Sequence, residues 1–283
     1  MKYKTAICVW CGDKGNKSFH AKVDWENLSS TWYKCNKCSS LMILPRPSKK
    51  EIKKMYEMDY LNKRHQPHAG VDCRIRYSKE YRPTVFSEYK KSLEDLNIRK
   101  DIKSILDFGC ADGVFLEFCK DYFNSSTELY GTDLSEQMLD QARKSGWNVF
   151  PLKDIDTINK KFDLITLWDV IEHVENPSAV INTLKKLLTP KGKIFFETPR
   201  FGLLGELYAE NWPHLLPVQH LSVASKEGME AFAKRMGFKI EKYCSFGSNA
   251  PSSLVPQPYK RIFDQLVKRL NEGDVQILSL IKR

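Results

Sequence analysis

Ile105-Leu106-Asp107-Phe108-Gly109-Cys110-Ala111-Asp112-Gly113-Val114-Phe115-Leu116 is the stretch on which the fold turns. Residues 104–108 are a short apolar run stopped by Gly109, and residues 113–123 have a helical pattern. Glycines between strand and helix let the backbone bend sharply and let a ligand approach it. The free N–H groups at the helix start point at the same ligand. Such a loop alone reads equally well as a plain tight turn. The second signal is Asp133, which closes the next strand 20 residues after Gly113. A carboxylate there can accept both hydroxyls of a ribose. Nicotinamide-binding proteins share that logic, so these two features alone do not choose the cofactor.

Outward from this stretch, strand and helix signals alternate. Strands are predicted over 128–132, 147–152, 162–168 and 193–198. Helices are predicted over 135–145, with Ser135 as N-cap; over 177–188, with Pro177 in the first turn; and over 225–236, closed by Gly237. Two more strands, 238–245 and 275–281, flank a helix over 259–270. Seven strands in this alternation imply an α/β fold: a doubly wound parallel sheet covered on both faces. Upstream, two prolines at 45 and 47 end a cysteine-rich region, and Ser48 with Glu51 has the spacing of a capping box that opens a helix over 48–58. Residues 59–83 have no clear period, and 84–96 reads as an amphipathic helix. The predicted organisation is a metal-binding module over 1–45, a helical linker or cap over 46–100, and the α/β domain over 101–283.

The ordered motifs resemble the class I S-adenosylmethionine-dependent methyltransferases, whose sheet is Rossmann-like. Residues 105–116 are similar to their first motif, with Ala111 where the middle glycine falls, which places strain on the tightest part of the loop. Tyr130-Gly131-Thr132-Asp133-Leu134-Ser135 resembles the second motif. Residues 162–174 and Leu188-Thr189-Pro190-Lys191-Gly192-Lys193 resemble the fourth-strand motif and the turn into the fifth strand. The resemblance runs from about residue 85 to 283. It implies S-adenosylmethionine as cofactor. Gly109, Ala111 and Gly113 would lie at its amino-acid end, Asp133 at its ribose and Asp154 near its adenine, with Asp107 a further cofactor-binding residue. The enzyme then has to place a nucleophile in line with an already activated methyl carbon. If the nucleophile is a hydroxyl, a base must take its proton.

Asp169, Glu172 and His173 stand at i, i+3 and i+4 just past the fourth predicted strand, which puts them on one face if that turn is helical. His220 follows the fifth strand. Two carboxylates and two imidazoles suit a divalent ion such as Mg²⁺, or general-base chemistry by a histidine, or a purely structural turn. The spacing resembles the small-RNA 2′-O-methyltransferases and the ubiquinone-pathway O-methyltransferases, in which an acidic residue three before a Glu-His pair binds a divalent metal. In this chain that residue is the shorter Asp169. Segment 199–224, with Trp212, Pro213, His214 and Pro217, is expected to wall an acceptor pocket.

Cys8-Val9-Trp10-Cys11 and Cys35-Asn36-Lys37-Cys38 are two Cys-x-x-Cys knuckles. Four thiolates so arranged suit a closed, structural Zn²⁺ site. Residues 35–60 resemble zinc-ribbon methyltransferases of bacterial surface-glycan or natural-product synthesis, and Tyr56, Tyr60 and Tyr77 are candidates to cover the site or to pack between domains. The remaining cysteines, 73, 110, 119 and 244, read as small buried residues without disulfides.

The net charge is +10. Residues 1–100 hold 22 basic and 11 acidic side chains, and the rest hold 23 and 24, so the whole excess lies in the first third. A surface of that kind attracts an anionic partner or is simply solvated. No apolar run of about 18 residues is present, and Met1 to Ala6 hold no apolar stretch, so a cytoplasmic protein without a membrane span is expected. The expected function is O-methylation of a small molecule, such as a sugar, nucleotide sugar or natural-product intermediate. The rivals are an RNA methyltransferase that grips phosphates with its basic module, and a cofactor-binding module without catalysis.

Overall fold

Two antiparallel strands, β1 (Lys17–Trp25) and β2 (Leu28–Cys35), come first among the described elements, and β3 (Leu41–Ile43) adds to β2. In the computed structural model the described residues are 6–25, 28–48, 50–52, 78–217, 219–248, 255–256 and 259–283. Tyr56, Tyr60, Tyr77 and Cys73, with most of the helix predicted over 48–58, lie outside them. The capping box at the start of that helix is formed: the Ser48 N–H donates to Glu51 Oε2 at 2.7 Å, and the Glu51 N–H donates to Ser48 Oγ at 3.2 Å.

The α/β part runs α1 (Arg82–Asp95), β4 (Ser104–Phe108), α2 (Val114–Tyr122), β5 (Glu128–Asp133), α3 (Glu136–Lys144), β6 (Asn148–Pro151), β7 (Phe162–Trp168), α4 (Pro177–Leu187) and β8 (Leu188–Pro199). It continues with α5 (Leu203–Tyr208), β9 (Ser222–Val223), α6 (Lys226–Arg235), β10 (Phe238–Phe246), α7 (Tyr259–Leu270) and β11 (Val275–Lys282). Seven strands form one sheet in the order β10-β11-β8-β7-β4-β5-β6. β4 to β8 are parallel, and β11 runs antiparallel to both of its neighbours. The caps read from the sequence at Ser135 and Gly237 are in place, and Asn176 and Ser225 add two more. Ser135, Asn176 and Ser225 accept backbone N–H groups at the starts of α3, α4 and α6, and Gly237 takes a left-handed φ of 76° just past α6.

The structure departs from the sequence pattern in several places: β1, β2, β3 and β9 are absent from that pattern, the sheet expected to be parallel carries β11 antiparallel to both neighbours, and two elements of the α/β part differ in extent or kind. β8 is longer than 193–198, because residues from Leu188 onward already extend along β7, with a register shift before Lys193. Gly192 permits the close approach, since a Cβ there would lie 2.7 Å from the Phe162 carbonyl oxygen. The other is α5, a helix of 6 residues inside the expected wall segment, held by buried Leu204 and Tyr208.

The cysteine region is built into this architecture. β9 pairs with β3, so the smaller sheet, β1-β2-β3-β9, ends on a strand contributed from beyond β8. Trp10, fully buried, stands edge-on to Phe232 of α6 with ring centroids 5.3 Å apart. Arg235 of α6 donates to the Val9 carbonyl at 2.6 Å. Cys8, Cys35, Cys38 and Met42 share one apolar cluster with Phe196, Met229 and Phe232. A second cluster on the opposite side of the large sheet joins Leu93 of α1, Phe115 and Phe118 of α2, Leu164 and Phe195. The parallel strands therefore carry helices and apolar packing on both faces, and their carboxyl ends, from β6 to β8, share one edge.

Candidate active site

The loop from β4 to α2 lies at that edge. Gly109, Ala111 and Gly113 have φ of 88°, 47° and 90°. A Cβ at Gly109 would approach Val170 Cγ2 to 2.5 Å, and one at Gly113 would approach Trp147 Cδ1 to 2.5 Å, so both positions demand glycine by conformation and by space. Ala111 takes the left-handed conformation with a side chain, which costs roughly 1–2 kcal/mol. The expected strain at Ala111 is therefore present. Asp133 Oδ2 accepts the Ala111 N–H at 2.9 Å, and Oδ1 accepts the Ser135 N–H at 2.8 Å. The carboxylate at the end of β5 is thus fixed against the loop, each oxygen with a lone pair still to offer.

Asp107, buried at the end of β4, accepts from Thr166 Oγ1 at 2.8 Å. Burial pushes its carboxyl up to about 7; the Thr166 hydrogen bond opposes this and the Asp133 charge adds to it. Burial likewise raises Cys110, next in the loop. Asp154 is half-buried, in a 3₁₀ turn (Leu152–Thr157) that follows β6, on the strand next to the one that ends in Asp133.

Past β7 the backbone does not enter an α-helix. Asp169 is left-handed, with φ of 50°, and its N–H is bonded to the Glu197 carbonyl at 2.9 Å. A single 3₁₀ turn, Ile171–His173, follows. The shared face expected of Asp169, Glu172 and His173 is therefore not formed. Glu172, His173 and His220 instead come together, with one ligating atom of each within 4.8 Å of the others. Asp169 lies outside that trio but close enough for its charge to act on Glu172.

Glu172 is fully buried. Thr198 Oγ1 donates to its Oε2 at 3.0 Å, Oε1 has no hydrogen-bond partner among the described residues, and His173 Nε2 stands 3.9 Å from Oε1. Burial first, then the charge of Asp169, holds this carboxyl well above its ordinary range. His173 Nδ1 is 2.9 Å from the Gln219 carbonyl oxygen, and His220 Nδ1 is 2.8 Å from the His214 carbonyl oxygen. A carbonyl only accepts, so each Nδ1 donates, and in the neutral ring each Nε2 keeps its lone pair. The two rings meet edge to face, 4.8 Å apart. Burial, with His173 and His214 beside it, lowers the pKa of His220 well below its ordinary value. An ionisable oxygen without a partner and two imidazole lone pairs form a donor set for a hard or borderline divalent cation.

His214, expected only in the wall of the acceptor pocket, and Arg46 have partners that the sequence did not show. His214 packs on Trp212 at 5.0 Å, and its Nε2 lies 3.7 Å from buried Asp274 at the start of β11. The proximity of His214 to tryptophan and prolines was visible; nothing in the sequence pairs it with a residue 60 positions on. Arg46, from the Pro-Arg-Pro stretch, donates through Nη1 to the Leu221 carbonyl at 2.8 Å.

The four knuckle cysteines also converge. Cys8 and Cys38 Sγ are 3.7 Å apart, as are Cys11 and Cys35, and all four sulfurs lie within 4.8 Å of one another. Four sulfurs at about 2.3 Å from a shared tetrahedral ion would be separated by about 3.8 Å. Both knuckles turn alike: the Gly12 N–H bonds the Cys8 carbonyl and the Ser39 N–H bonds the Cys35 carbonyl, with Gly12 and Ser39 left-handed.

The family model of the methyltransferase domain matches residues 79–243, more than half of the chain. The chain belongs to that family. This methyltransferase domain is 34% identical over 122 residues to a ubiquinone biosynthesis O-methyltransferase of Idiomarina loihiensis, covering 38% of this chain and 49% of the relative. It is 32% identical over 127 residues to a protein of the same name from Coxiella burnetii, covering 41% and 53%. The chain thus spans about half the length of the curated relatives it matches. Among solved structures, an S-adenosylmethionine-dependent methyltransferase from Archaeoglobus fulgidus superposes with a TM-score of 0.52 at 20% identity, over 74% of this chain and 96% of the other. That likeness concerns the fold of the methyltransferase domain.

Proposed function

We propose that the protein transfers the methyl group of S-adenosylmethionine to a hydroxyl of a small molecule. The observation that carries the reading is the left-handed loop Gly109–Gly113 fastened to the Asp133 carboxylate, a cradle for a nucleoside with a charged tail. Asp133 would take the ribose hydroxyls and Asp154 would lie near the adenine. The loop and Asp107 would face the amino-acid end. The relatives' printed name supports oxygen as the acceptor atom.

His173 and His220, each with an Nε2 lone pair, are the candidate bases. S-adenosylmethionine would supply the activated methyl group, and the proton of the acceptor hydroxyl would pass to an imidazole Nε2. His173 is the more exposed ring and is assigned the proton; His220 is assigned to hold the arrangement. Alternatively, Glu172, His173 and His220 would use those same Nε2 lone pairs to hold a divalent ion such as Mg²⁺, which would orient the acceptor hydroxyl and lower its pKa; a histidine that ligates the ion does not take the proton. Asp169 would act on that trio through its charge.

We also assign a structural Zn²⁺ to Cys8, Cys11, Cys35 and Cys38. Residues 1–45 are then a metal-held module, 46–100 a connector and 101–283 the catalytic fold. Three of the module's described lysines are engaged within the chain, which weighs against a nucleic-acid grip, while Lys14 and Lys37 are exposed. Lys17 is buried against Gly15 and Asp13, Lys22 pairs with Asp24, and Lys34 pairs with Glu206. Among the described residues no helix is long and apolar enough to cross a membrane. The test is transfer of labelled methyl from S-adenosylmethionine to panels of hydroxylated small molecules and of structured RNA. Labelling of small hydroxylated acceptors is expected, and labelling of RNA alone overturns the assignment.

A further inference from the structure

His220 lies on a segment held from two sides by parts of the chain far apart in sequence. The Leu221 N–H donates to the Glu172 carbonyl at 2.8 Å. The Leu221 carbonyl accepts from the Ile43 N–H at 3.1 Å and from Arg46 Nη1 at 2.8 Å. The next two residues form β9, whose Ser222 and Val223 sit opposite Met42 and Leu41 of β3. β3 in turn follows directly on the second cysteine knuckle. Cys38 Sγ lies 3.3 Å from Ser40 Oγ, which accepts the Ser225 N–H at 3.0 Å, and the Ser225 hydroxyl donates to the Cys38 carbonyl. The fit leaves no slack: a Cβ at Gly228 of α6 would lie 1.9 Å from Ser40 Oγ.

A strand of two residues has too few pairings to hold its own place. Without β3 and Arg46, the Leu221 carbonyl would lose both of its donors. We propose that the cysteine module is a positioning element for the site. Its metal acts on the chemistry through β3, which sets Leu221 and thereby the placing of His220 and Glu172, without touching cofactor or acceptor. This inference rests on the assignment of Glu172, His173 and His220 to the site. Ser40 and Arg46 are its positioning residues.

The experiment is amide hydrogen exchange and ¹⁵N-histidine NMR on the full zinc-loaded chain, with S-adenosylhomocysteine affinity measured by calorimetry on the same samples. Arg46→Met keeps the side-chain stem and removes one donor to Leu221. Exchange at Leu221 and Ile43 is expected to rise roughly tenfold. The ring signals of His173 and His220 should move with it. The Gly109 and Cys110 amides, bonded to the Thr132 carbonyl, should keep their protection, and S-adenosylhomocysteine affinity should stay within twofold. Arg46→Lys, which retains a donor, should restore the pattern. Stripping zinc from the unmodified protein with EDTA, and the substitution Ser40→Ala, should both reproduce it. Unchanged exchange at Leu221 overturns the proposal. So does loss of protection at Gly109 and Cys110 together with Leu221, which would make the module a support of the whole fold. Absence of S-adenosylhomocysteine binding in the unmodified protein defeats the cofactor reading alone; binding with Leu221 unmoved defeats the positioning role alone.

Discussion

Asp107→Asn should make the cofactor-free protein more stable at neutral pH and above, by an amount that grows with pH. Asp107 is buried at the end of β4, with one hydrogen bond from Thr166 and the Asp133 charge nearby. An unfolded chain releases this proton near the ordinary value of 3.8, and the folded chain releases it only at about 7. Between those values the folded state binds the extra proton. The contribution is therefore fully present below 3.8 and is lost as pH rises through about 7. The whole span is worth roughly 4 kcal/mol, of which about 3 falls between pH 4.5 and 8. Asparagine has no such proton, and its carbonyl still accepts from Thr166. Urea unfolding of both proteins at a series of pH values, extrapolated to water, isolates the effect, because titrating groups that do not sense Asp107 cancel in the difference. The stability of the variant relative to the parent should rise by about 3 kcal/mol between pH 4.5 and 8. A difference that stays constant with pH would refute the reasoning, since it would mean that Asp107 ionises in the folded protein as it does in the unfolded chain.

Gly113→Ala forces a side chain onto a φ of 90° and against Trp147, so S-adenosylhomocysteine affinity by calorimetry should fall at least tenfold. Cys35→Ser should release about one zinc per chain, read by metal analysis, and lower the melting temperature, because a thiolate set of this kind contributes folding free energy through its metal. Trp10→Ala should cost roughly 3–5 kcal/mol in denaturant unfolding through the cavity left against Phe232. Glu172→Gln should abolish any Mg²⁺ or Mn²⁺ stimulation of methyl transfer while cofactor affinity stays near that of the parent. Full activity of the parent after chelation would remove the ion from the scheme.

The sheet was legible because its signals are local. Gly109, Asp133, Pro177 and Gly237 each punctuate an element within a few residues of where the pattern places them. The knuckles were legible for the same reason, since spacing alone brings two thiols together. The trio was only partly legible. Asp169, Glu172 and His173 have helical spacing, but Asp169 turns left-handed because its N–H is tied to Glu197 of β8, a contact 28 residues away. His214 with Asp274, β3 with β9, and Arg46 with Leu221 depend on pairings between distant segments that no local period encodes. The same limit explains why the cysteine region reads as a separate module while its strand forms one sheet with a segment from beyond β8.

If the Gly109–Gly113 loop and Asp133 together hold the cofactor, its demethylated product should bind there as well. Titration of S-adenosylhomocysteine into folded, zinc-loaded protein by calorimetry tests it most directly, with Asp133→Ala alongside. One molecule bound per chain, with affinity reduced at least tenfold in the variant, is the predicted result. No heat in the well-folded parent protein, or equal affinity in both, would contradict it.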